Sequence, residues 1–142
     1  MKTKPLAGSE KAFAVVLNTG DEVMPALLEF AKTKKCGASH FTGIGAFSRA
    51  VLGYFDWEKK DYARIPVDEQ VEVLSLVGDI ALEKDEPEIH AHAVVGKRDG
   101  TTMGGHLLEA TVRPTLEIVL EESPSPLRRE YDPQSGLALI RL

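Results

Sequence analysis

Apolar and polar positions along the first part of the chain predict a buried strand followed by one amphipathic helix. The stretch FAVVLNT at residues 13–19 is a valine-rich apolar run, which is typical of a buried strand. The next apolar residues recur at helical spacing and form a single face, made by Val23, Ala26, Leu27, Phe30 and Ala31. We therefore expect one helix that packs this face against a sheet.

The ends of this helix are predicted from capping chemistry. Asp21 is placed to accept hydrogen bonds from the free amides at the start, and Pro25 is tolerated in the first turn. Lysines at positions 32, 34 and 35 suit the negative end of the helix dipole. Gly37 is expected to end the helix.

From residue 39 onward the pattern predicts one strand after another. Segments 39–47 and 49–57 are predicted as two strands around a tight connection, followed by a short extended piece that ends at residue 67. Segment 69–82 alternates with Val71, Val73, Ser75 and Val77 on one side and Glu72, Leu74 and Leu76 on the other. Because both sides carry apolar residues, we expect both faces of this strand to be covered.

The second half of the chain predicts a hairpin and two further strands. Strands 89–97 and 106–112 are joined by a loop with the turn dipeptides Asp99-Gly100 and Gly104-Gly105. Pro114 is expected to break the pattern before a strand at 115–122, and a proline-rich loop then leads to a last strand, LALIRL. The predicted fold class is α+β: a central antiparallel or mixed sheet of about seven or eight strands with one main helix. Residues 1–10 form a lead-in and residues 11–142 a single domain.

Composition narrows the classes of function. The net charge of -5 does not favour a protein that grips nucleic acid through its phosphates. The single cysteine, Cys36, excludes an intrachain disulfide and is expected to be a small buried group at the helix end. The first residues lack the long apolar run of a signal peptide, so we expect none, and no apolar run reaches the ~18 residues that a membrane span needs. We expect a cytoplasmic protein without a membrane partner.

Three of the four histidines lie within residues 88–110. His90 and His92 lie two residues apart on one strand and therefore point to the same face. His106 begins the partner strand of the predicted hairpin, so it can lie near both. Three imidazoles are a common ligand set for zinc, but exposed histidines without a metal have the same spacing. The fourth, His40, has no acid placed to form a triad and is expected to be structural or exposed.

Several motifs, in order, resemble the PPC domain family (plants and prokaryotes conserved). They are FTGIGAFSRAVLGYFD, EVLSLVGDIAL and IHAHAVVGKRDGTTMGGHLLEATVRPTLEIVL, and the resemblance extends from about Ala12 to the C-terminus. It implies a compact α+β domain assembled as a homotrimer, of the stand-alone prokaryotic type. It also implies a zinc ion held by the H-x-H pair and the G-G-H histidine, which here are His90, His92 and His106.

Three alternative functions remain open. The first is a homotrimeric zinc-binding module with a regulatory role, in which the metal is structural or holds a small-molecule ligand. The second is a small zinc-dependent enzyme of hydrolase type, for which Glu88 or Glu109 is the candidate general base. Catalytic residues beyond these two candidates are not predicted.

The third alternative is association with DNA or with a DNA-associated protein. In plants this domain is joined to an AT-hook, but the present chain lacks the arginine-glycine-arginine-proline core of that element. The basic residues that remain as candidates lie in two loops: Lys97 and Arg98 in the first, Arg128 and Arg129 in the second. An ordinary solvated loop has the same composition.

Overall fold

The computed structural model describes residues 1–6 and 11–142, which form one mixed sheet and one helix. The described strands are β1 (Lys2–Pro5), β2 (Ala12–Asn18), β3 (Ala38–Asp56), β4 (Asp61–Val67), β5 (Val71–Glu83), β6 (Glu86–Gly96), β7 (Thr102–Glu122), β8 (Arg128–Asp132) and β9 (Leu137–Arg141). The helix α1 spans Val23–Lys34. The expected single helix and mixed sheet are confirmed, although the sheet has nine strands rather than about seven or eight.

The additional strands come from segments without a clear apolar pattern. β1 lies in the segment interpreted as a lead-in and pairs antiparallel with β2. Residues 7–10 of that segment lie outside the described residues. β8 lies in the segment interpreted as a proline-rich loop and pairs with β9. Both β1 and β8 are mostly exposed. Their sequences therefore lack the pattern of buried apolar residues from which a strand is predicted.

Two long strands replace two predicted strand pairs. β3 runs from Ala38 to Asp56 without the turn expected near Ser48, and β7 passes through Pro114. The β3–β7 pairing skips from the Gly45–Leu116 pair to the Phe47–Val112 pair, so Pro114 has no partner on β3. A proline at such an irregularity removes no hydrogen bond from that ladder. The predictions of a turn and of a break were therefore wrong.

Four of the strands pair in a closed cycle. β7 pairs with β3, β3 with β5, β5 with β6, and β6 returns to β7. The interior is filled by one aliphatic and phenylalanine-rich cluster, in which Phe41, Phe47, Leu76 and Leu116 are almost fully buried. This closure brings the middle of β6 beside the first residues of β7.

A bulge in β5 changes which residues face the core. The register of β5 against β6 shifts between Val73 and Ser75. One extra residue reverses the alternation of faces in the rest of the strand. Leu76 is consequently buried and Val77 is 47% exposed, which corrects the predicted grouping of Val77 with Val71 and Val73.

The helix packs as predicted, but its ends differ. Val23, Leu27, Phe30 and Ala31 are buried, and Ala26 packs against the core. The N-cap is Glu22, and no side chain caps the helix. The Asp21 carboxylate instead accepts hydrogen bonds from the backbone amide of Asn18 and from the N-terminal ammonium group. The left-handed C-cap is Lys35 rather than Gly37.

Five apolar side chains lie exposed on the outer face of the sheet; we call them the outer apolar patch. Val77 and Val119 are both direct partners of Thr42 on β3, so the three residues form one row. His92 continues this row as the partner of Val77. The members of the patch are Ile44, Leu74, Val77, Val94 and Val119.

No helix in the described residues is long and apolar enough to cross a bilayer.

Candidate metal centre

The alternation of β6 fixes the direction of two histidine side chains. Ala91 and Ala93 are buried and Ile89 packs against the core, so His90 and His92 point to the opposite face. Their Nε2 atoms lie 3.1 Å apart. The predicted common face of His90 and His92 is confirmed.

The pairing of β6 with β7 places the third histidine beside the first two. His106 is the direct cross-strand partner of His92. The His106 ring lies 5.2 Å from the His90 ring and 5.4 Å from the His92 ring, measured between centroids. One nitrogen from each of the three residues lies within 4.8 Å of the others. The structure therefore brings together the three histidines that the sequence singled out.

Burial favours the neutral form of two of the three imidazoles, His106 and His92. It lowers the pKa of His106 to about 4, with a further contribution from the charges of His90 and His92. Burial, and then the charge of His90, also lowers the pKa of His92. Neutral imidazole is the form that binds metals, so the lowered pKa values of His92 and His106 favour the ligand form of these two rings at neutral pH.

The donor set fits a zinc ion. Two histidines on one tetrahedral zinc, with bonds of about 2.0–2.1 Å, hold their nitrogens about 3.3 Å apart. The 3.1 Å separation of the His90 and His92 Nε2 atoms is close to that value. The Nδ1 atom of His106 is buried and has no hydrogen-bond partner. An unpaired buried nitrogen costs free energy that a bound cation or a donor would offset.

Asp79, which the sequence did not place at the site, faces His90, and Arg129 binds Asp79 in turn. Asp79 on β5 is the cross-strand partner of His90, and its Oδ2 lies 3.6 Å from His90 Nδ1. Arg129 on β8 donates to Asp79 Oδ1. Burial alone would raise the pKa of Asp79, but His90 and Arg129 outweigh it and hold the pKa below its usual value. The sequence feature that could have identified Asp79 is a carboxylate within an otherwise apolar strand.

A cavity of about 180 Å³ opens beside two of the histidines. Tyr62 forms part of its wall and packs on the His106 ring with the ring centroids 4.5 Å apart. Burial raises the pKa of the Tyr62 hydroxyl. The remaining lining residues come from β5, β6, β7 and the C-terminal hairpin: Glu83, Glu88, Ile89, His90, His106, Arg129, Leu137, Ala138 and Leu139.

The two carboxylates considered as general bases differ in position. Glu88 lines this cavity together with His90 and His106. Glu109 forms an ion pair with Arg64 on the exposed surface and is not among the residues that line the cavity. Only Glu88 of the two is therefore placed where a molecule near the histidines would meet it.

Most of the basic residues considered for DNA binding form ion pairs with carboxylates. Lys97 lies 2.7 Å from Glu69, and this carboxylate raises the pKa of Lys97. Arg128 lies 2.7 Å from Asp85, and Arg129 pairs with Asp79. Each pairing reduces the positive potential that the residue offers to a phosphate.

The two remaining residues of interest lie away from the histidine cluster. His40 is exposed on the outer face of β3, with its Nε2 4.0 Å from Glu121. Cys36 is buried directly after the helix, and burial raises the pKa of its thiol. Both placements agree with the expectations from the sequence.

Solved structures resemble this fold closely. A metal-containing protein from Archaeoglobus fulgidus is 37% identical with a TM-score of 0.85, and the match covers 93% of this chain and 94% of that one. A predicted DNA-binding protein from Bacteroides thetaiotaomicron VPI-5482 is 29% identical with a TM-score of 0.93, covering 99% and 96%.

Sequence comparison adds a much longer relative and a family. The bifunctional protein GlmU of Synechococcus sp. (strain JA-3-3Ab) is 30% identical over 139 residues, and the chain spans only 21% of its length. The model of the Plants and Prokaryotes Conserved domain, abbreviated PCC, matches residues 6–124. The matched region contains the three histidines and ends before β8. The chain belongs to the plants and prokaryotes conserved domain family, the family introduced above as PPC.

Proposed function

We propose that the chain is a zinc-binding module that works as a homotrimer, with His90, His92 and His106 as the protein ligands of the ion. The observation that carries the proposal is the convergence of three imidazoles, with the Nε2 atoms of His90 and His92 3.1 Å apart. The metal-containing relative from Archaeoglobus fulgidus supports a metal in this fold. Three histidines leave one position of a tetrahedral zinc open for water or a ligand.

The outer apolar patch supports the homotrimer. Val77 and Val119 are each 47% exposed in the single chain, and they lie in one row with His92. An exposed group of neighbouring aliphatic side chains is typical of a surface that another protein covers. Since His92 continues the row, a second copy on this patch would lie beside the metal centre.

Zinc titration of the metal-stripped protein tests the ligand set. Competition with a chromophoric chelator should give about one zinc per chain, and His106→Gln should abolish tight binding. His40→Gln is the matched control, because His40 lies on the same sheet but outside the cluster. Wild-type protein that does not compete with the chelator, or equal loss in the two variants, would contradict the proposed ligand set.

The alternative of a zinc-dependent hydrolase is favoured by one observation, the cavity beside His90 and His106 with Glu88 in its wall. A bound zinc ion would supply a water of pKa near ~7 there. In that case Glu88 is placed to accept a proton from a molecule in the cavity. Turnover of an activated ester that is lost in Glu88→Gln while zinc content is unchanged would favour the enzyme over the module.

We propose that the chain associates with DNA through a partner protein and not by direct contact. The predicted DNA-binding relative from Bacteroides thetaiotaomicron supports an association with DNA. The net charge of -5 and the ion pairs of Lys97, Arg128 and Arg129 do not favour direct contact with phosphates. We expect weak DNA retention that Lys97→Glu combined with Arg98→Glu does not change. Tight retention with a steep salt dependence, lost in this double variant, would instead establish direct binding.

A further inference from the structure

We propose that Arg129, acting through Asp79, is a positioning residue of the metal centre, which makes the C-terminal hairpin β8–β9 part of that centre. The inference rests on the proposed function, since the residue to be positioned is the proposed ligand His90. It goes beyond the family match, which ends at residue 124, before the hairpin begins.

Asp79 connects the hairpin to the histidine cluster through its two oxygens. Oδ1 accepts a hydrogen bond from Arg129 Nη2. Oδ2 lies 3.6 Å from His90 Nδ1, so it is the carboxylate oxygen that faces this ring nitrogen. The same ring presents its other nitrogen, Nε2, to His92. Asp79 and His92 therefore lie at opposite nitrogens of one imidazole.

Arg129 is held firmly enough to fix the carboxylate. Its side chain is only 9% exposed, and its Nη1 donates to the Ala138 carbonyl on β9 at 3.2 Å. A buried guanidinium that lost its carboxylate would be left as an uncompensated charge, which is strongly unfavourable. Arg129 thus holds the Asp79 carboxylate in place, with its Oδ2 directed toward His90.

The Asp79 carboxylate, through its position, selects the tautomer of His90. A carboxylate only accepts hydrogen bonds, so it favours the proton on His90 Nδ1. The Nε2 lone pair is then free and faces the cluster, which is the tautomer that a metal ligand requires. Carboxylates behind metal-bound histidines commonly act in this way, and their loss weakens metal binding by about 10- to 100-fold.

The variant Asp79→Asn tests the mechanism without a large change of volume. Arg129 can only donate, so it should take the amide oxygen and leave the amide NH₂ toward His90. His90 Nδ1 must then accept a hydrogen bond from this NH₂ group. The ring proton therefore moves to Nε2, which is the atom proposed to bind zinc. We expect zinc affinity to fall by about 10- to 100-fold in Asp79→Asn and by about tenfold in Arg129→Met.

The matched control is Arg128→Met. Arg128 is the preceding residue on β8 and pairs with Asp85 on the surface rather than with Asp79. Its replacement should change zinc affinity less than about twofold, since an exposed ion pair contributes little. In the Asp79→Asn background, Arg129→Met should not lower zinc affinity further, because Arg129 acts through the side chain at position 79 and its loss frees the amide oxygen to face His90.

Nitrogen-15 NMR of the imidazole rings in metal-free protein gives a second, independent result. The wild type should show the His90 proton on Nδ1, and Asp79→Asn should show it on Nε2. An unchanged tautomer together with an unchanged zinc affinity would overturn the proposal while leaving the three-histidine site intact. If the wild type bound no zinc, the proposed function would fail, and the tautomer would still decide whether Asp79 positions His90.

Discussion

His92 on β6 and His106 on β7 are direct cross-strand partners, and a turn joins the two strands. Asp99 and Gly100 form that turn as predicted, with Gly100 at a φ of 84° and Thr101 donating to Asp99 Oδ1. Gly104 and Gly105, in contrast, lie inside β7 rather than in the turn. Gly105 lets β7 approach the backbone of Gly53 on β3 closely, so the position of His106 depends on the glycine beside it.

Gly105→Ala is predicted to displace His106. A Cβ at Gly105 would lie 2.6 Å from the Gly53 carbonyl oxygen, and Gly53 is the β3 partner of His106. Overpacking of this kind costs about 1–3 kcal/mol in the free energy of unfolding. We expect zinc affinity to fall together with stability, measured by chelator competition and urea unfolding.

Gly104→Ala is the matched control for this prediction. A Cβ at Gly104 would come no closer than 3.4 Å to any atom, an ordinary contact with the Ala93 carbonyl oxygen. Its stability and zinc affinity should stay near wild type. Equal effects of the two substitutions would show that contact with Gly53 does not position His106.

The outer apolar patch predicts a change of assembly state. Light scattering after size exclusion should give wild-type protein about three times the 15.5 kDa chain mass. Val119→Asp should give the single chain, because a buried unpaired carboxylate opposes the interface. Tyr131→Asp is the control, since Tyr131 is 66% exposed on β8 and outside the patch. A wild type that runs as a single chain would contradict the homotrimer.

The stability of the metal-stripped protein should depend on pH through His106. The pKa of His106 is about 4 in the fold and about 6.5 in an unfolded chain. Between these values the unfolded state binds more protons, so this contribution to stability is present above pH ~6.5 and is lost as the pH falls toward ~4. His106→Gln should flatten the pH dependence of the unfolding free energy in this window. Parallel curves for the two proteins would show that burial does not lower the pKa of His106.

The sequence predicted the centre of the site because the pattern that encodes it is local. His90 and His92 share a face by strand alternation, and a hairpin with a turn at Asp99-Gly100 brings His106 toward them. The apolar face of the helix was predictable for the same reason, because its spacing repeats within a few turns.

The parts that the sequence did not predict depend on contacts between distant residues. Asp79 and Arg129 are 50 residues apart, and neither periodicity nor a motif connects them. The exposure of Val77 follows from a bulge that shifts the alternation of β5, which an apolar pattern alone does not reveal. Pro114 was interpreted as a strand break because its lack of a β3 partner becomes visible only in the paired sheet.

The metal content of the untagged protein tests the central claim most directly. Elemental mass spectrometry should be carried out on the wild type and on the double variant His90→Ala/His92→Ala, both purified without an affinity tag. The proposed site predicts about one zinc per chain in the wild type and none in the variant. A wild type that carries no metal, even after zinc is added back and excess is removed, would contradict the metal centre.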